Sequence, residues 1–180
     1  MAIDLKKLKV LLVEDEAVMR DLLRGVFESL GVGRVTLADN GESGFRVFQE
    51  TNPDIIFLEW ELKKMNGPNL IKKIRSDSSS PSRTVPIIML TGYSAVTRVE
   101  LARDSGVTEF MTKPFTANEI AKRLSYVVNK PRDFVEYSGF VGPDRRRRQG
   151  EDISVNDRRG QTEHTVQYID SQIKPREKNK

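Results

Sequence analysis

The chain has 180 residues, with 30 Lys and Arg against 26 Asp and Glu, no cysteine and one histidine, His164. Without cysteine there is no disulfide framework, thiolate nucleophile or Cys-ligated metal centre, and a single histidine excludes a multi-histidine metal site. The formal charge of +4 is mild and spread over the whole length, which does not point to nucleic acid.

The first ten residues, MAIDLKKLKV, are too polar for a signal peptide. The longest apolar runs are about five residues, so no segment is expected to span a membrane, and a cytoplasmic location is expected. Val10 to Val13 is a short apolar run ended by acids, the pattern of a strand buried on both faces. Val18, Met19, Leu22, Leu23, Val26, Phe27 and Leu30 recur at helical spacing and stop at Gly31 and Gly33. Val35 to Ala38 reads as a strand, Asn40-Gly41 as a turn, and 42–51 as a helix carrying Phe45, Val47 and Phe48. Ile55 to Leu58 is a second doubly buried strand, and Leu70, Ile71 and Ile74 mark a short helix. The run SDSSSPSRT (76–84) is a surface loop, Val85 to Leu90 a fourth strand, and 95–105 a faint helical pattern. Phe110 to Thr112 is a fifth strand. Thr116 and Glu119 then form a capping box ahead of Ile120, Leu124 and Val127 at helical spacing.

Five strand–helix units of this length predict an α/β fold: a doubly wound, five-stranded parallel sheet with helices on both faces. The last fifty residues differ, since only 11 of them are apolar and none is Leu, Ala or Met. That is too little to offset the ordering entropy of a separate fold. The expectation is one domain over 1–130 and a largely disordered tail over 131–180.

In such sheets polar sites form beyond the carboxyl ends of the strands. Those ends carry Glu14-Asp15-Glu16, Asp39, Glu59, Thr91-Gly92 and Lys113-Pro114. Glu14, Asp15 and Glu59 would converge if the first and third strands are neighbours. Clustered carboxylates repel unless a cation sits among them, and an all-oxygen set with few ligands suits Mg2+. A hydroxyl and an ammonium, Thr91 and Lys113, are suited to hold an anion such as a phosphoryl group.

With LLVEDE (11–16), PDIIFLEWEL (53–62), MNG (65–67), IIMLTGYS (87–94) and EFMTKPF (109–115) in order, residues 8–130 resemble a response-regulator receiver domain of the CheY type. The resemblance implies the flavodoxin/CheY-like strand order 2-1-3-4-5. It implies metal-binding acids at Glu14 and Asp15, with the acceptor position, Glu59, as a further ligand. A switch hydroxyl at Thr91, an aromatic switch at Phe110, a phosphate-binding Lys113 and a cis peptide at Lys113-Pro114 are also implied. It implies a signalling module rather than an enzyme, contacting a protein partner: a kinase, a phosphotransfer protein or an output target. The contact face would be the fourth helix, fifth strand and fifth helix.

The chain departs from the family at the phosphoacceptor, which is Glu59 where the family has aspartate. The neighbours are Leu58 and Trp60, and Asp54 lies about 16 Å away at strand rise. The extra methylene moves the carboxylate about 1.5 Å further out, and a misplacement of about 1 Å can cost on the order of 100-fold in transfer. Phosphotransfer at Glu59 is therefore expected to be weak or absent, and Mg2+ binding weak. Glu59 could act as a partial phosphate mimic reaching Lys113 or Thr91. Alternatively it sits silent in a docking scaffold, or accepts phosphate slowly in a phosphorelay. Lys63 replaces the family's loop proline, Glu61 stands where a backbone carbonyl assists the metal, and Phe110 lacks a hydroxyl to move.

In the tail, Arg145, Arg146, Arg147 and Arg148 form a run followed by acids and Arg158-Arg159. It reads either as a solvated charge run or as an anion-binding segment for a phosphorylated or acidic partner. It loosely resembles the Arg-rich extensions of CheY-like proteins, some of which bind cyclic di-GMP. Acids interleave the arginines, so DNA or RNA is not expected, and no DNA-binding output domain is visible. The functional expectation is a stand-alone, atypical receiver that signals by binding a protein.

Overall fold

A computed structural model describes residues 4–92, 104–137 and 139–145, with the backbone of 167–169. Five parallel strands form one sheet: β1 (Lys9–Val13), β2 (Arg34–Ala38), β3 (Ile55–Glu59), β4 (Ile87–Thr91) and β5 (Glu109–Thr112). Their spatial order is β2-β1-β3-β4-β5, as the resemblance implies. The helices are α1 (Ala17–Ser29), α2 (Gly41–Thr51), α3 (Gly67–Ser76) and α4 (Ala117–Asn129). The helix expected over 95–105 lies mostly outside the described residues. Among the described residues no helix is long and apolar enough to cross a membrane.

Successive side chains of a strand point to opposite faces, so each buried strand feeds two cores. Val10, Leu12, Ile55, Phe57, Ile88 and Leu90 pack with Leu23 and Phe27 of α1 and with Ile120, Leu124 and Val127 of α4. Leu11, Val13, Ile56, Leu58, Ile87 and Met89 pack on the other side with Phe45 and Phe48 of α2 and with Leu70, Ile71 and Ile74 of α3. Every residue of β3 and β4 is buried, as apolar runs without alternation predict for central parallel strands. Helix starts follow local chemistry. Asn40 and Thr116 each accept from the N3 backbone amide in a capping box, and Asn66 accepts from Asn69 N ahead of Pro68 in the first turn.

One expectation is corrected: residues 134–143 do not belong to a disordered tail. β6 (Phe134–Tyr137) and β7 (Phe140–Pro143) form an antiparallel hairpin, and β8 (Gln167–Ile169) pairs with the other edge of β6. Phe134, Val135 and Val141 are buried, with β7 packed on α3. The low apolar fraction argued against an independent fold, but the hairpin is not independent. It borrows the core of the domain, so a few apolar residues suffice.

The anchor of this hairpin is Arg75, at the C-terminal end of α3 and 2% exposed. Its Nε and Nη2 both donate to Gly106 O at 3.1 Å, and its Nη1 donates to Arg83 O and Val85 O at 2.8 Å. The guanidinium lies 4.9 Å from the ring centroid of Phe134. Burial pulls Arg75 down to about 9, which still leaves it charged at neutral pH. Gly106 has φ +89°, and a Cβ there would stand 2.4 Å from Val141 O, so hairpin and loop meet backbone to backbone. Arg83 and Glu136 close the rim with an ion pair at 2.8 Å. Gly106 and Val85 precede β5 and β4, so the hairpin sits at the amino ends of the strands, opposite the carboxyl-end crevice.

Candidate functional site

The carboxyl ends of β1, β3, β4 and β5 open into a cleft of about 240 Å³, lined by Glu14, Asp15, Glu59, Trp60, Thr91 and Lys113 among others. That is smaller than pockets for drug-sized ligands and suits an ion or a small anion. Parallel pairing sets the registers: Val13 opposite Leu58, Glu59 opposite Leu90, Thr91 opposite Thr112. Strand alternation and burial then hold Glu59 at the floor.

Glu59 is 7% exposed and both carboxylate oxygens are engaged. Oε1 accepts from Trp60 N at 2.7 Å and from Glu61 N at 3.2 Å, and Oε2 is 2.5 Å from Lys113 Nζ. The same ammonium lies 3.2 Å from Oε2 of Glu14, which is 1% exposed. Glu14 is braced further by Glu16 N, which donates to its Oε1 at 3.1 Å, and its carbonyl accepts from Arg20 at 2.8 Å. Burial pushes the Glu14 carboxyl up, partly offset by the Glu16 amide and by Lys113. Burial alone would pull Lys113 down, but its hydrogen bond to Glu59 and the charges of Glu59 and Glu14 outweigh this and hold it above the usual lysine value.

Of the expected acidic trio, Glu14 and Glu59 come together on one lysine. Asp15 turns instead to Lys63, with Oδ2 3.6 Å from Nζ. Among the described residues no three acidic or imidazole side chains are grouped so as to hold a metal ion. Glu14, Asp15 and Glu59 are the carboxylates in the cleft that would hold a small divalent cation with waters, two of them ion-paired to Lys113 and the third to Lys63. Thr91 lines the same cleft, 5% exposed, and its carbonyl accepts from Lys113 N at 2.7 Å. Phe110 is half-buried and packs against the core on the α2 and α3 side. The Lys113-Pro114 peptide is cis. Of the arginine run only Arg145 is described, and its Nη2 donates to Val107 O at 2.5 Å, at the far end of the sheet from the cleft. Arg146, Arg147 and Arg148 lie outside the described residues.

Sequence reasoning missed two residues. Lys63 was visible only as a replaced proline, although a lysine two residues after the acid Glu61 was the available signal. Arg75 carried none, because it follows Ile74 in a helix pattern that places it at the edge of the apolar face.

Residues 10–125 match the family model described as response regulator receiver domain. The chain is 31% identical over 122 residues to the chemotaxis protein CheY1 of Helicobacter pylori 26695, covering 67% of this chain and 97% of that protein. A solved structure of the chemotaxis protein CheY4 of Vibrio cholerae is similar at TM-score 0.62 and 26% identity, over 67% of this chain and 98% of that one. The receiver domain of the sensor histidine kinase PA1611 of Pseudomonas aeruginosa, with a magnesium ion coordinated in its active site cleft, is similar at TM-score 0.59 and 30% identity. That match covers 65% of this chain and 93% of that one. With strand order, cleft and sequence in agreement, the chain belongs to the response regulator receiver family.

Proposed function

We propose that this receiver signals by binding a protein partner, with little or no phosphorylation at Glu59. The observation that carries the reading is the 2.5 Å pair between Glu59 Oε2 and Lys113 Nζ. The ammonium that would receive a phosphoryl oxygen already holds the resident carboxylate, and Oε1 is held by two backbone amides. A carboxylate fixed at both oxygens is a poor nucleophile for in-line transfer, which depends on placement. Glu59 supplies one negative charge and two oxygens where a phosphoryl group supplies about −1.5 to −2 and three, so it sets the switch only in part. Mg2+ at Glu14, Asp15 and Glu59 is correspondingly weak.

Incubation with a small-molecule phosphodonor and Mg2+, followed by intact mass, tests this. The native chain should gain no phosphoryl group; a stoichiometric gain on Glu59 overturns the reading. A pull-down with native, Glu59→Asp and Glu59→Gln proteins should return different partner sets. A second reading concerns the tail. Arg145 is fixed on Val107 O, so the run Arg145–Arg148 starts from a set point on the fold, as an anion-binding arm would. Calorimetric titration with cyclic di-GMP tests that arm; no heat refutes it.

A further inference from the structure

We propose that the outer edge of β6 is a strand-docking site, filled by the chain's own β8 and taken by an extended segment of a partner protein when β8 leaves. The site lies in the hairpin at the amino ends of the sheet, away from Glu59 and Lys113, so it stands or falls separately from the reading of the crevice. β6 is the central strand of its sheet, with β7 on one edge and β8 on the other. In an antiparallel ladder, neighbouring residues turn their backbone groups to opposite edges. Asp144 N donates to Asp133 O at 2.7 Å, which turns 133, 135 and 137 toward β7. The N–H and C=O of Phe134 and of Glu136 therefore face the outer edge, opposite Ile169 and Gln167. Pro143 agrees with this parity: it stands opposite Phe134, where its missing N–H would point away from β6.

The two edges are held very differently. β7 follows β6 directly and packs on α3, and Phe134 and Val141 are buried. Phe134 lies on the Arg75 guanidinium, and Glu136 pairs with Arg83. These contacts belong to β6 and β7 and do not pass through β8. β8 has only three residues and reaches β6 across the connection 144–166. Its few backbone hydrogen bonds, each of modest net worth, must offset the ordering of that strand and the closure of the connection. β8 is therefore the first strand to leave, and its departure bares Phe134 and Glu136 while the hairpin stays docked. A bare strand edge is a template for strand addition. The register describes the ligand: an extended segment antiparallel to β6, with branched or aromatic residues opposite Phe134 and Val135 and a polar one opposite Glu136. Ile169, Tyr168 and Gln167 are the resident version of that pattern.

The first test needs no variant. In the native full chain, amide hydrogen exchange followed by NMR should show protection at least about tenfold lower at Phe134 and Glu136 than at Val135 between them. Equal protection at the three overturns the proposal. The second test uses a fluorescein-labelled peptide of residues 164–172 as the probe, read by anisotropy. Gln167→Pro removes an N–H that β8 offers to the edge, and this chain should bind the peptide about tenfold or more tightly than the native chain, in which β8 competes. A closed form is also within reach, because the chain has no cysteine of its own. Val135 and Tyr168 are a non-hydrogen-bonded pair, a type whose Cα atoms stand about 4.5 Å apart, within disulfide range. The oxidised chain carrying Val135→Cys and Tyr168→Cys should not bind the peptide, and reduction should restore binding. No binding by Gln167→Pro, or equal binding by the native, opened and oxidised chains, overturns the proposal. A disulfide that forms between copies, seen by intact mass, overturns it as well, since the edge would then belong to a second copy of this chain.

Discussion

Phe134→Ala separates a docked hairpin from a dangling tail. The ring is 1% exposed, stacks near the Arg75 guanidinium and helps seal the carbonyl cage around it. Truncating a buried phenylalanine typically costs about 3–5 kcal/mol through lost burial and the cavity left behind. With a urea dependence of about 2 kcal/mol per molar, the unfolding midpoint should fall by about 1.5–2.5 M. The thermal midpoint should fall by on the order of 10 °C. Tyr137→Ala is the matched control: it removes an aromatic ring of the same size from a residue that is 37% exposed on the same strand, and should cost under about 1 kcal/mol. Urea unfolding followed by far-UV circular dichroism on the full chain is the assay. If Phe134→Ala and Tyr137→Ala both stay within about 0.5 kcal/mol of the native protein, the hairpin does not belong to the cooperative unit and the account of Arg75 fails with it.

Other consequences are equally open to measurement. Arg75→Met should cost about 3 kcal/mol or more, because the carbonyls of Gly106, Arg83 and Val85 lose their donors at once; a neutral effect in urea unfolding would contradict the cage. Lys113 is held above its usual value when folded, so its stabilisation is complete below about pH 10.5 and fades as pH rises through the folded value. Glu14 is also raised, so its ionisation at neutral pH costs stability. Lys113→Met should therefore be more destabilised at pH 8 than at pH 5, and parallel urea midpoints at the two pH values would refute this. Thr116→Ala removes one half of the α4 capping box and should cost about 1 kcal/mol in urea unfolding, whereas Thr116→Asn should restore most of it. Glu59→Asp withdraws the carboxylate by about 1.5 Å and frees Lys113, so it should gain one phosphoryl mass from a small-molecule donor where the native chain does not.

The five-stranded sheet was legible because central parallel strands announce themselves. Ile55 to Leu58 and Ile87 to Leu90 are unbroken apolar runs, buried on both faces. The strand ends were legible for the same reason, since each run stops at the residue that faces the crevice. The meeting of Glu59 with Lys113 was anticipated as one option, but which oxygen goes where depends on the Trp60 and Glu61 amides, and a sequence does not show backbone amides aimed at a side chain. The hairpin was missed because four-residue strands holding Gly142 and Pro143 give too short a period to count. Their burial is made by contact with α3, far away in the chain. Arg75 was missed for a related reason: its partners are main-chain oxygens, which carry no residue signature.

The parallel sheet also sorts charge by direction. Its carboxyl ends gather Glu14, Asp15 and Glu59, while the residues that lead into β4 and β5 receive Arg75 and Arg145 on their carbonyls. The acids of the crevice and the guanidinium groups of Arg75 and Arg145 thus stand at opposite ends of the same strands. A substitution confined to one end therefore leaves the hydrogen bonds of the other in place.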